Sequence, residues 1–544
     1  MKKLLCLLLV FCLAVGLFTG CQVQKAEPQP TPAPTGSSNP EPESGYNKHL
    51  VYTLTDSEVE KFSADLLALE QLYLQDASIE EIDAAEDAIE ELSDYIVDQC
   101  SIAHVLYCYD TTDEVASERY LASEEISNRV VDEFMLCARR IYQSDAPNKD
   151  YFFIDWTDAE MEKLMNYTSR VAELEQRNAE LLVAYRDMKD PATDPRMAPI
   201  YRELVQNNNE IAEIYGYDNY YEYAYRVGYD RDYEPQTVDK MHRYAKIYLV
   251  AACEMAYSAF VKNYQSLSSI QQMKLSNLLA ASYDASGVNY VEKYLLSLPE
   301  SMRNAMNRMF EEDRVVFVTS PNAREGAFTD LIGDEPFCYF GPGYSAADTV
   351  IHELGHFYGG IAGDMYEIPL DLAETQSQGN EWLFTAFLKN ELTDAVYKTY
   401  VSYVLYDLIA GTLVQLAVDA FEMEVYSCED IASFDRDDFE AIMAQVAEPY
   451  GGIGFYNEYI TDLQKYWKMV VVEAPVYYIS YAVSSMAAIS LYSVANEDMA
   501  RAIEIYRGLV ELEDYDAGFL AIIEEAGLPG PFRQDVYEYI YEMF

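Results

Sequence analysis

Residues 352–356 read His352-Glu353-Leu354-Gly355-His356, and those two histidines are two of only five in a chain of 544 residues. On a helix, residues four apart stand one above the other, so both imidazoles can reach one metal ion while Glu353 points beside them. This is the spacing of zinc hydrolases, in which the glutamate is a general base and not a ligand. The pentapeptide therefore predicts a helix that carries half of a metal site.

A catalytic zinc takes three protein ligands and a water, so one more His, Asp or Glu is required. The remaining histidines, His49, His104 and His242, all lie far upstream, which favours an acidic third ligand. Downstream, Gly359-Gly360 is expected to end the first helix, and Pro369 suits the first turn of a second one beginning near Asp371. Along that second helix Glu374, Ser377, Gln378 and Glu381 fall at spacings of three, four and seven and share one face.

At Glu374-Thr375-Gln376-Ser377-Gln378-Gly379-Asn380-Glu381-Trp382 the chain resembles the M3 family of zinc metallopeptidases, the thimet oligopeptidase and oligoendopeptidase F group. The resemblance implies one Zn2+ ion on His352, His356 and Glu374, Glu353 as general base, and Glu381 as a partner that orients a ligand. Residues 211–233, ending in Arg231-Asp232-Tyr233, resemble the segment that enters the family's catalytic region. Arg324-Glu325-Gly326-Ala327-Phe328-Thr329 and Pro336-Phe337-Cys338-Tyr339-Phe340 resemble its short β structure, which implies substrate contacts at Gly326, Phe328 and Tyr339. From the residues alone, that stretch reads equally as an ordinary buried hairpin.

Residues 474–483 resemble the family's tyrosine-rich segment, and Tyr477, Tyr478 and Tyr481 are the implied donors to the oxyanion of the attacked peptide bond. With 49 tyrosines in the chain, any one of them can equally be packing. The family places a histidine shortly before this segment, whereas here the chain reads Trp467-Lys468-Met469-Val470-Val471-Val472-Glu473 and has no histidine after His356. The glycine cluster from Tyr450 to Phe455 reads as a substrate loop or as a plain turn between helices.

The chain starts Met1-Lys2-Lys3, runs through an apolar stretch from Leu4 to Phe18 and meets Thr19-Gly20-Cys21. That is a short signal h-region, with Cys21 placed as the acylated first residue of an exported bacterial lipoprotein on the extracytoplasmic face of the membrane. Residues 21–45, rich in Pro, Ser and Glu, cannot bury a core and read as an extended tether. Six cysteines then remain, with no CxxC pair among them, which excludes a thiol metal site and a dithiol redox motif. The formal charge of −56 excludes nucleic acid as a partner, because a phosphate backbone rewards Lys and Arg.

Helical periodicity dominates the body. Ser57-x-x-Glu60 and Thr157-x-x-Glu160 have capping-box form, the second opening a run through Leu164, Val171 and Leu174. Amphipathic runs fill 79–98, 115–143, 195–215 and 236–265, and only 314–340 reads as β. The expected architecture is mostly α. The resemblance implies the neurolysin-like form of it: two helical lobes flanking a deep substrate channel, with a small β element near the zinc. Residues 46–190 would form an N-terminal helical region and 191–544 the catalytic region. Three functions fit these residues: an endopeptidase acting on oligopeptides, a helical metallocarboxypeptidase, and a peptide-binding lipoprotein with little or no turnover.

Overall fold

Polar caps and apolar stripes build the helices of this computed structural model, which describes residues 46–544 apart from 155, 187, 189–190, 192, 281–284, 334, 364–367, 452–470, 513–514 and 516. The expected signal, Cys21, the tether, the glycine cluster from Gly452 onward and the histidine-lacking stretch up to Val470 lie outside the described residues. Helix α1 (Asp56–Leu74) starts at Thr55, whose N–H donates to the Glu58 carboxylate at 3.0 Å in a capping box. This box replaces the one expected at Ser57 and Glu60. Thr55-x-x-Glu58 has the same form two residues earlier and captures the first unpaired N–H groups.

Helices α2 (Ile79–Tyr109) and α3 (Glu114–Gln143) follow. The Thr157–Glu160 box forms as expected, but its helix stops at Asn166, and Val171 and Leu174 belong to a separate helix, α4 (Ser169–Arg186). Arg139 donates to the carbonyl oxygens of Met165 and Tyr167 at 2.6 and 2.7 Å, satisfying acceptors that a continuing helix would otherwise have used. Helix α5 (Met197–Tyr215) ends on Gly216 at φ +88°. The run expected over 236–265 is helical from Pro235 to Ser266 (α6), with a π-helical turn at Ala245–Leu249.

Two large cores result. Phe62, Leu69, Ile89 and Phe134 of α1–α3 anchor one. The other is built around α7 (Ala347–Ala362), α8 (Leu370–Leu388), α9 (Asp394–Tyr426) and α10 (Tyr478–Glu497). Helix α5 contributes Ile211 to the first and Tyr201 to the second. Helices α9 and α10 are long and apolar enough to cross a membrane, yet 61% and 83% of their most apolar windows are buried inside the protein. A helix that is apolar all round is what a large core demands at its centre.

The β element is a three-stranded sheet in the order β1-β3-β2, with β1 (Val315–Phe317) parallel and β2 (Ala327–Leu331) antiparallel to the central β3 (Pro336–Phe340). Its period of two divides the side chains between two neighbours. Phe328, Phe337 and Tyr339 pack on Ile102 and Val105 of α2, while Ala327, Cys338 and Phe340 join the core of α7. The sheet thus stands between the two helical bodies. No disulfide joins the six described cysteines; five are buried and Cys428 is partly so.

Helix α7 does not end at Gly359-Gly360 as the glycine pair predicts, but continues to Ala362. The reason is packing against α8: a Cβ at Gly359 would lie 2.7 Å from Gln376 Oε1, and a Cβ at Gly355 would lie 2.6 Å from Ser377 Cα and 3.0 Å from Gln376 O. Both glycines serve close approach. At Gly355 the obstacle is backbone, which cannot rotate away, so Gly355→Ala should cost on the order of 1–3 kcal/mol. Thermal unfolding of the metal-free protein checks this, and a variant melting with the parent would refute it.

Candidate metal centre

The close approach of α7 and α8 brings His352, His356 and Glu374 together, with one ligand atom from each within 4.8 Å of the others. Nε2 of His352 and Nε2 of His356 each lie 3.8 Å from Glu374 Oε2. Among the described residues this is the only such group of three. His104, His242 and His49 are engaged elsewhere: His104 stacks on Phe328, His242 Nε2 lies 2.8 Å from Asp419, and His49 Nε2 lies 2.9 Å from the carbonyl of Glu312.

Partners fix the orientation of His352 and of Glu374. Glu381 Oε1 lies 2.6 Å from His352 Nδ1; a carboxylate can only accept there, so Nδ1 carries the proton and the Nε2 lone pair faces Glu374. Ser377 Oγ lies 3.3 Å from Glu374 Oε2, and the Tyr477 hydroxyl donates to Glu374 Oε1 at 3.2 Å. Burial, followed by the neighbouring His352, holds the His356 imidazole well below its ordinary range, which keeps it neutral and able to coordinate.

Tetrahedral zinc with N and O donors near 2.0–2.1 Å sets those donors roughly 3.4 Å apart. The 3.8 Å separations need only small side-chain rotations to reach that value. Two imidazoles and one carboxylate are also a known catalytic zinc donor set, so the residues fit the ion.

Glu353 is 1% exposed and accepts a hydrogen bond from Thr329 Oγ1 at 2.7 Å. Burial pushes its carboxyl up to about 7, against the lowering effects of His352 and the Thr329 hydroxyl. Thr329 was not singled out by motif reading. Its signal is the alternation of β2, which puts it on the same face as Ala327, toward α7.

Ala327, His352, Glu353, Tyr478 and Tyr481 line one cleft, together with Tyr403 and Asp407 of α9. Of the three candidate phenols, Tyr478 and Tyr481 face this space, whereas Tyr477 is 1% exposed and engaged with Glu374. The side chains of Phe328 and Tyr339 turn away from it. Phe328 stacks between His104 and Tyr339, and the Tyr339 hydroxyl donates to the carbonyls of Cys108 and Arg324 at 2.7 and 2.9 Å. Substrate contact through those two side chains is thereby corrected; the residue of β2 that lines the cleft is Ala327. The outer edge of β2 has no strand partner among the described residues. On the opposite, paired side Gly326, at φ +121°, extends the ladder with β3, its carbonyl accepting from the Gly341 N–H at 2.8 Å.

Solved structures share this architecture. PZ peptidase A with an inhibitor superposes at a TM-score of 0.73 with 18% identity, covering 91% of this chain and 99% of that one. Two proteins provisionally described as oligoendopeptidase F follow. One has a TM-score of 0.72 and 17% identity; the other, from Bacillus anthracis str. Ames, has 0.68 and 16%. Each covers 91% of this chain and 96% of its own. The chain has the fold of these peptidases. No protein-family model and no curated protein matches it.

The raised Glu353 carboxyl has a consequence for metal-free protein. The unfolded chain releases this proton near pH 4.5 and the folded chain only near 7. Stability is therefore lost as pH rises through that window, and the full penalty is present above it. Glu353→Gln should then stabilise chelator-treated protein at pH 8 by on the order of 2–3 kcal/mol and leave it level with the parent at pH 4. Denaturant unfolding at the two pH values reads the difference; an equal gain at both would refute it.

Proposed function

We propose that this chain is a zinc-dependent endopeptidase that hydrolyses oligopeptides, exported and held at the extracytoplasmic face of a bacterial membrane by a lipid on Cys21. The observation that carries the reading is the convergence of His352, His356 and Glu374 at a cleft lined by His352 and the buried Glu353. The fold shared with PZ peptidase A supports the peptide as substrate. The Lys2-Lys3, apolar and Thr19-Gly20-Cys21 sequence supports the anchor. In this reading residues 191–544 carry the chemistry and residues 46–190 form its helical flank.

His352, His356 and Glu374 would hold the ion, which when bound supplies Lewis acidity, lowering the pKa of a water and polarising a carbonyl oxygen. Glu353 moves the protons. With its carboxyl poised near 7, it can take a proton from the attacking water and return it to the leaving nitrogen at neutral pH. The hydroxyls of Tyr478 and Tyr481 face the cleft and can donate to the carbonyl oxygen as negative charge develops there. The free edge of β2 can pair with an extended peptide backbone, which binds chains of many sequences and excludes folded ones.

Metal content and cleavage of a mixed library of internally quenched oligopeptides test the proposal on the parent, Glu353→Gln and His356→Ala. Zinc should be present in the parent and in Glu353→Gln and lost in His356→Ala, with turnover in Glu353→Gln reduced by about 10²–10⁴-fold or more. Fragment masses distinguish internal cutting from C-terminal trimming, the outcome that a metallocarboxypeptidase would give. Zinc without cleavage by any form would replace the peptidase with a peptide-binding protein.

A further inference from the structure

Val476 sits at φ +62°, a left-handed conformation that crowds both γ-carbons of a β-branched residue against the backbone. The other described non-glycine residues at positive φ are Asp76, Asp230 and Asp313, all of a type that tolerates it. Val476 is fully buried, and the side chains of Glu422 and Arg231 hold its backbone. Its N–H donates to Glu422 Oε1 at 2.6 Å, and its carbonyl accepts from Arg231 Nη2 at 2.8 Å.

Further contacts lock the clamp itself. Arg231 Nη2 also reaches Ser480 Oγ at 2.9 Å, and its guanidinium lies 4.6 and 4.5 Å from the ring centres of Tyr225 and Tyr229. The Tyr229 hydroxyl in turn donates to the carbonyl of Pro475 at 2.8 Å. The residue that follows Val476 is Tyr477, whose hydroxyl donates to Glu374 at 3.2 Å.

We propose that Arg231 and Glu422 are positioning residues that hold Val476 in its left-handed backbone and thereby aim the Tyr477 hydroxyl at Glu374 Oε1. Without them a valine returns to extended backbone, a φ change of roughly 180° that turns the chain on which Tyr477 stands. The inference rests on the reading of Glu374 as a metal ligand. Burial holds the Glu422 carboxyl well above its ordinary range, and its Oε1 is the acceptor of the Val476 N–H. Glutamine reproduces that acceptor, and leucine fills similar space without one.

The test is a zinc-affinity cycle on the full chain, by competition with a chelator, using the parent, Glu422→Gln, Glu422→Leu, Tyr477→Phe and Glu422→Leu/Tyr477→Phe, with folding checked by circular dichroism. Glu422→Gln should match the parent, and Glu422→Leu should bind zinc about tenfold or more weakly. Adding Glu422→Leu to Tyr477→Phe should cost little further, because the hydroxyl being aimed is already gone. Parental affinity in Glu422→Leu, or losses that add in full, would overturn the inference. If Glu422→Leu does not fold, Arg231→Lys takes its place in the same cycle and the same outcomes decide. A parent that binds no zinc overturns the metal assignment of Glu374 itself, which separates that failure from failure of the clamp.

Discussion

The separation between α7 and α8 is the constraint from which the site follows. His352 and His356 share a face of one helix by local geometry alone, but Glu374 belongs to another helix and reaches them only if the two backbones nearly touch. Gly355 permits this, because any side chain there would meet Ser377 Cα. The residue between the histidines is thus as necessary to the donor set as the donors, although it ligates nothing. Asn380 reinforces the contact by donating to the carbonyl of Ile351 at 2.7 Å.

Around that contact the protein buries several carboxylates, and hydroxyl groups donate to them. Glu353 accepts from a threonine, Glu374 from a tyrosine, and Asp371 from the Tyr233 hydroxyl at 2.8 Å. Neutral hydroxyl donors satisfy a buried acid without cancelling its charge. Arginine is used one layer further out, where Arg231 grips backbone and aromatic rings. The abundance of tyrosine finds a partial explanation here: each phenol supplies a large apolar body and one donor.

The sheet links this chemistry to the rest of the molecule. One face of β2 and β3 packs on α2 and the other on α7, so Thr329 presents its hydroxyl to Glu353 while its neighbour Phe328 anchors the N-terminal helices. The stacking of Phe328 and Tyr339 at 5.0 Å is core packing, and the outer edge of β2 has no strand partner among the described residues.

Much of this protein is written in local sequence. Helical periodicity, the His352 and His356 pair, the shared face of Glu374, Ser377 and Glu381, and the β character of residues 314–340 all follow from spacings within a few turns, which is the range over which side chains on one element meet. Reading failed where a second element decides. The Gly359-Gly360 pair has the local form of a helix end, but the structure uses Gly359 for contact with Gln376. The family resemblance implies substrate contacts at Phe328 and Tyr339, but α2 covers them. The left-handed backbone of Val476 has no local signal at all, because the groups that hold it are 245 and 54 residues away in the chain. The sequence by itself determined which side chains could bind a metal and move a proton. Only the tertiary structure decided which of them meet, since the approach of α7 to α8 and the burial that raises Glu353 depend on contacts no local pattern records.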